Sequence, residues 1–130
     1  MASPIGAAIA TEWLRGDTVD QVLIARKNEI ERRHTLAARI LDRYAPTTLP
    51  GAYHLWIALP KGWTNSSCAR ALSDAGIRVS TADEFAVDGA GAPHAIRLSL
   101  TSTRTTPRLE RGLQTIRAEL DRGPGHGALL

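Results

Sequence analysis

The stretch Ala95-Ile96-Arg97-Leu98-Ser99-Leu100-Thr101 alternates strictly between apolar and polar residues. In an extended segment Ile96, Leu98 and Leu100 share one face, and Arg97, Ser99 and Thr101 share the other. The run reads as a strand laid on a core. A guanidinium in mid-strand, framed by small hydroxyl residues, is a bidentate fork suited to a carboxylate or a phosphate. The same residues also fit a salt-bridged surface arginine on a half-exposed strand. The rest of the chain has to decide between the two.

Downstream, Thr106-Pro107 opens a final helix whose apolar stripe is Leu109, Leu113, Ile116 and Leu120. Gly123 to Leu130 reads as a frayed tail, with His126 solvated within it. Upstream, Asp88 to Pro93 is a Gly/Ala/Pro loop, and Glu84-Phe85-Ala86-Val87 and Ile77-Arg78-Val79-Ser80 read as short strands. A short helix is predicted from about Thr64 to Ala75, ended by Gly76 at C′. The run Ala52 to Leu59 is a strand apolar on both faces that stops at Pro60-Lys61-Gly62, after which Trp63 packs over the following helix.

Near the N-terminus, Ser3-Pro4 is an N-cap with proline at N1, opening a helix to about Arg15 that Gly16 closes. Asp17 is placed to cap a second helix, with Asp20 in the capping-box position. Its apolar positions Val19, Val22, Leu23, Ile30, Ala37, Ile40, Leu41 and Tyr44 keep a spacing of three and four, and Lys27–Glu31 and Glu29–Arg33 are i,i+4 pairs. Running to about Tyr44, before Pro46 and Pro50, this helix would be roughly 40 Å long at 1.5 Å per residue. That exceeds what a small domain needs and suggests a connector spanning two domains. The element order predicts an α+β two-layer sandwich: a three- or four-stranded, mostly antiparallel sheet with helices packed on one face. No helix is left over for the face that carries Arg97 and Ser99, so something else should cover it.

Composition sets the bounds. With 130 residues, 43% hydrophobic, the chain can build one ordinary core. The net charge of +3 and pI near 9.6 are mildly basic, yet 16 Lys and Arg are interspersed with 13 Asp and Glu. The densest basic cluster, Arg32-Arg33-His34, follows Glu29 and Glu31 and reads as a solvated helix face, not a nucleic-acid stripe. A single cysteine, Cys68, precludes an internal disulfide and fits a reducing compartment; it reads as a packed structural thiol. The N-terminus lacks a signal-peptide pattern, and no apolar run approaches the roughly 18 residues of a membrane span, so a cytoplasmic location is expected.

No catalytic apparatus is visible. His34, His54, His94 and His126 are scattered without metal-ligand spacing, no GxSxG is present, and Gly89-Ala90-Gly91 lacks a phosphate-loop frame. Tyr53-His54-Leu55-Trp56 reads either as a binding stripe or as a core strand at a domain interface.

Several pieces in order carry a resemblance. They are Ser3-Pro4 with Trp13-Leu14-Arg15-Gly16; Arg26 and Glu29 with Arg33; Gly51-Ala52-Tyr53-His54-Leu55-Trp56 with Leu59-Pro60 and Gly62-Trp63; Gly76-Ile77-Arg78-Val79 with Phe85-Ala86-Val87; and Ala95 to Leu100. From Ser3 to about Leu120 the chain resembles the C-terminal small domain of the MocR-like branch of the GntR regulators. The effector domain of that branch is a fold-type I, aspartate-aminotransferase-like protein dependent on pyridoxal phosphate. The resemblance implies that Arg97 binds the α-carboxylate of an amino-acid substrate or effector. It also implies that residues 1–16 are a helical arm left from the large domain, 17–122 the small domain and 123–130 a flexible tail.

The same resemblance implies a large-domain partner, a homodimer and DNA binding only through a separate N-terminal domain. The cofactor's lysine belongs to the large domain, and neither Lys27 nor Lys61 matches its place, so the chain alone is expected to be inactive. Two other readings stay open at this stage. One is a stand-alone interaction module that buries helix 3–15 and the open sheet face by dimerising; the other is an authentic aminotransferase subunit.

Overall fold

The computed structural model describes residues 3–88 and 91–125. His126, the end of the tail and two residues of the loop before the arginine strand lie outside them.

The helices form where spacing and caps agree. Helix α1 (Pro4–Arg15) begins with proline in its first turn, and Gly16, at φ −99° and ψ 165°, both closes it and serves as N-cap of α2 (Asp17–Ile40). Asp17 is thus the first residue of α2 and not its cap; no side chain caps that end. Over 24 residues α2 spans about 36 Å. It stops as an α-helix at Ile40, short of Tyr44, and tightens into a 3₁₀ turn over Asp42–Tyr44. Arg117 Nη1 donates to the Ile40 carbonyl at 2.8 Å, occupying one of the carbonyls that the helix end leaves unpaired.

Helix α3 (Asn65–Asp74) is capped at both ends. Thr64 and Ser67 form a reciprocal capping box, Ser67 N–H donating to Thr64 Oγ1 at 3.1 Å and Thr64 N–H to Ser67 Oγ at 3.0 Å. At the other end Gly76 takes φ +83°, its N–H donates to the Ser73 carbonyl, and the Ile77 N–H donates to the Leu72 carbonyl. This pair of bonds is a Schellman motif, which glycine at C′ adopts without strain. Helix α4 (Thr106–Arg122) buries the stripe Leu109, Leu113, Ile116 and Leu120.

The sheet has three antiparallel strands in the order β1 (His54–Ala58), β3 (Ala95–Ser99), β2 (Ser80–Thr81). Trp56 pairs with Arg97 across β1 and β3, and Ser80 pairs with Arg97 across β2 and β3. Thr47 exchanges two 2.8 Å backbone bonds with Trp56, so a short bridge blunts the free edge of β1. Leu55, Ile57, Ile96 and Leu98 face inward and join Ile30, Ala37, Leu41, Trp63, Cys68, Leu72 and the α4 stripe in one core. The architecture is the expected α+β sandwich, with α2, α3 and α4 on one sheet face.

Four further expectations are corrected. Glu84–Val87 is not a strand. Thr81-Ala82-Asp83-Glu84 is a capping box in which Glu84 Oε1 accepts from the Thr81 N–H at 3.1 Å, and that bond curls Ala82–Phe85 into a 3₁₀ turn. The strand expected at Ile77–Ser80 is displaced to Ser80–Thr81, because Ile77 is committed to the Schellman motif. Strand β1 is not apolar-buried on both faces; Leu55 and Ile57 are buried while His54 and Trp56 are half-buried on the other side.

The last correction concerns Arg33. It is not part of a solvated helix face: only 6% exposed, it donates to the carbonyls of Leu100, Thr103 and Arg104 at 2.7, 2.8 and 3.2 Å. Its neighbour Arg32 does remain exposed. His34 likewise turns inward, its Nε2 lying 2.5 Å from the Ala52 carbonyl.

Candidate functional site

Directly opposed residues of an antiparallel pair project from the same sheet face. The register therefore assembles a row Trp56, Arg97, Ser80 and beside it a row His54, Ser99, all on the sheet face opposite the buried Leu55, Ile57, Ile96 and Leu98. Arg97 stands at the centre, on the middle strand. Beyond Ser99 the chain leaves the sheet, and Ser99 Oγ lies 3.4 Å from Thr101 Oγ1, so the hydroxyls that frame Arg97 in sequence partner each other.

The 3₁₀ turn after β2 brings one more residue to this face. The Phe85 ring centroid is 4.3 Å from the Arg97 guanidinium carbon. Trp56 meets the same ring edge to face, with centroids 5.7 Å apart and planes at 77°. Among the described residues, Arg97 enters no ion pair and its guanidinium makes no side-chain hydrogen bond. The reading of Arg97 as a salt-bridged surface arginine therefore does not describe the structure. What the site offers is a half-buried cation with five N–H donors, backed on an aromatic ring and unneutralised.

Sequence reasoning placed Arg97 and missed Phe85. The signal was present: Thr81-x-x-Glu84 is a capping-box pattern, and it makes 82–85 helical and swings Phe85 back over the strand just left. Asn65, the first residue of α3, steadies the approach to β3, accepting from Ala95 N–H at 2.9 Å and donating to the Pro93 carbonyl at 3.1 Å. Asp83 beside Phe85 is held below the usual carboxylate range, first by a hydrogen bond with Thr81.

The chemistry available elsewhere is limited. Cys68 is fully buried and desolvation pushes its thiol up to about 11, the opposite of an activated nucleophile. Among the described residues no group of three or more His, Cys, Asp and Glu is placed to hold a metal ion. No described helix is long and apolar enough to cross a membrane. Lys27 sits on the exposed side of α2 and Lys61 in the exposed turn after β1, so neither lies on the strands that carry Arg97. The residues present do not fit covalent attachment of pyridoxal phosphate near Arg97; they fit an anionic group of a ligand.

The fold is shared with part of larger proteins. Superposition on α-aminoadipate aminotransferase LysN of Thermus thermophilus, solved with N-(5′-phosphopyridoxyl)-L-leucine, gives a TM-score of 0.71 at 19% identity. It covers 87% of this chain and 30% of that one. MppP, solved after soaking with the product 2-ketoarginine, gives a TM-score of 0.65 at 17% identity, over 87% of this chain and 31% of that one. In sequence, the chain is 23% identical over 119 residues to the uncharacterized HTH-type transcriptional regulator YdeF of Bacillus subtilis (strain 168). That alignment takes in 92% of this chain and 26% of the regulator. No family model matches the sequence.

The chain thus has the fold of a segment of an aminotransferase. It spans about a quarter to a third of the length of the proteins it matches.

Proposed function

We propose that this chain is the C-terminal small domain of a longer, pyridoxal-phosphate-dependent aminotransferase-like protein of the MocR regulator type. In it Arg97 binds the α-carboxylate of an amino-acid substrate or effector. The observation that carries this reading is the uncompensated guanidinium of Arg97 on an open sheet face, in a domain with the aminotransferase fold. A planar fork held on a strand is suited to grip a carboxylate bidentately and to fix the amino acid's orientation. When bound, the cofactor supplies the electron sink; this domain supplies position.

The large domain would bring the cofactor lysine and cover the sheet face. Residues 3–15 support such a partner: α1 buries none of its residues, and Ile5, Ile9 and Trp13, spaced by four on one side of it, stay exposed. Val22, Leu23 and Ile24 extend the uncovered apolar surface onto the start of α2; on this proposal 1–16 is an arm of the large domain and 17–122 the small domain proper. Likeness to an HTH-type transcriptional regulator supports a DNA-binding domain elsewhere in the parent; a cytoplasmic location and a homodimeric parent are part of the same proposal.

The test is calorimetric titration of L-amino acids into the parent protein and its Arg97→Ala variant, unchanged affinity removing the proposed role. The exposed α1 surface also favours a second reading, a self-associating module. Light scattering on the 130-residue chain separates the two, since a monomer at high concentration rules out the module.

A further inference from the structure

Phe85 is a large apolar side chain set against the guanidinium, and it has no core of its own to enter: it is 48% exposed, at the end of a two-residue strand and a single 3₁₀ turn. A ring left half in water would ordinarily swing free. Here it is fixed from three directions. The Thr81–Glu84 capping box sets the turn that projects it. The Trp56 ring meets it edge to face. Arg97 lies 4.3 Å from its centroid.

An arginine on an open strand face has four rotatable bonds and loses much entropy when held in one geometry. No carboxylate performs that task for Arg97 among the described residues. A carboxylate partner would fix the fork and also occupy it. An aromatic ring beside the guanidinium attracts the cation without consuming any of its five N–H donors.

We infer that Phe85, braced by Trp56, is a positioning residue that holds the Arg97 guanidinium ready for a carboxylate while leaving its donors free. The inference rests on the carboxylate-binding role proposed for Arg97. It makes the 3₁₀ turn a functional element and not only a connection. It also calls for an aromatic side chain specifically at residue 85, since an aliphatic one of similar size fills the same space without attracting the cation.

The experiment uses the 130-residue chain, labelled for arginine side-chain NMR, with acetate as the carboxylate probe. In the native chain the Arg97 Hδ and Hε resonances are expected upfield of the other arginines by the Phe85 ring current. Phe85→Leu should abolish that shift, increase Nε mobility and weaken the acetate response of Arg97 about threefold. Phe85→Tyr should restore all three.

Arg97 resonances at ordinary positions in the native chain, or an acetate response unchanged in Phe85→Leu, would overturn the inference. If the ring-current shift is intact but acetate moves Arg97 in no variant, the carboxylate reading fails and the positioning role falls with it. The first two results leave the carboxylate reading standing, so the two failures are distinguishable.

Discussion

Arg33 Nη1 donates to the Leu100 carbonyl at 2.7 Å, joining the middle of α2 to the end of the strand that carries Arg97, across 67 positions of sequence. The same nitrogen reaches the Thr103 carbonyl and Nη2 the Arg104 carbonyl, while Nε is held by Glu29 Oε1 at 2.9 Å. One buried fork therefore gathers the whole turn between β3 and α4. Its charge is tolerable there because every side of the guanidinium meets an oxygen.

Removing that fork should be costly. Hydrogen bonds from a charged donor contribute roughly 1.5–3 kcal/mol each, and part is recovered when freed carbonyls take water. Arg33→Ala is expected to lower stability by about 3 kcal/mol, read as a fall in the urea midpoint at unchanged slope. Arg33→Lys should recover only part of this, because an ammonium cannot reach three carbonyls and a carboxylate from one planar group.

Glu29 gives the same contact a pH signature. Its hydrogen bond from Arg33 is the largest influence and holds its carboxyl below the usual value of 4.5. A group whose folded pKa is lowered contributes stability that is complete above its unfolded pKa and is lost as pH falls through the folded value. Acid titration followed by circular dichroism should therefore show stability falling below about pH 4.5, with Asp83 acting in the same direction. Glu29→Gln is expected to flatten that limb by lowering stability at neutral pH, where the ionised carboxyl makes its contribution, while changing stability little in acid.

Much of the frame was legible from local pattern. The α4 stripe is a period of three and four that nothing contradicts, Gly76 marks a helix end by its own chemistry, and the alternation at 95–100 sets both faces of β3. Arg33 was not legible, because its partners lie 67 to 71 residues away and only the folded chain brings them within reach. Phe85 lay in between. The apolar run Phe85-Ala86-Val87 suggests a strand, and a hydrogen bond from a backbone N–H to Glu84 outweighs it. Of the site, then, the sequence exposes the cation and its strand, and conceals the ring that stands against it.

Two glycines should respond in opposite directions. At Gly76 a new Cβ meets nothing within 4 Å, so the whole cost of Gly76→Ala is the left-handed backbone at φ +83°, about 1–2 kcal/mol. At Gly112, inside α4, the added Cβ also meets nothing, and Gly112→Ala should raise stability by about 0.5–1 kcal/mol. Thermal melts of the two variants beside the native chain check both signs.

Cys68 should be silent until the domain opens. Fully buried, and with its thiol pushed up to about 11 by desolvation, it offers almost no thiolate near neutral pH. Labelling by a thiol reagent at about pH 8 is expected to be slow and to accelerate with urea in step with global unfolding. Rapid stoichiometric labelling of the native chain would show that α3 opens on its own.

The most direct test of the central claim is the affinity of the parent protein for an L-amino acid, measured by calorimetry with Arg97 intact, as Arg97→Lys and as Arg97→Ala. A bidentate, charge-assisted pair lost to alanine should weaken binding about tenfold or more, with lysine recovering only part because it lacks the planar fork. Equal affinity across the three proteins would contradict the account and reduce Arg97 to a surface cation resting on Phe85.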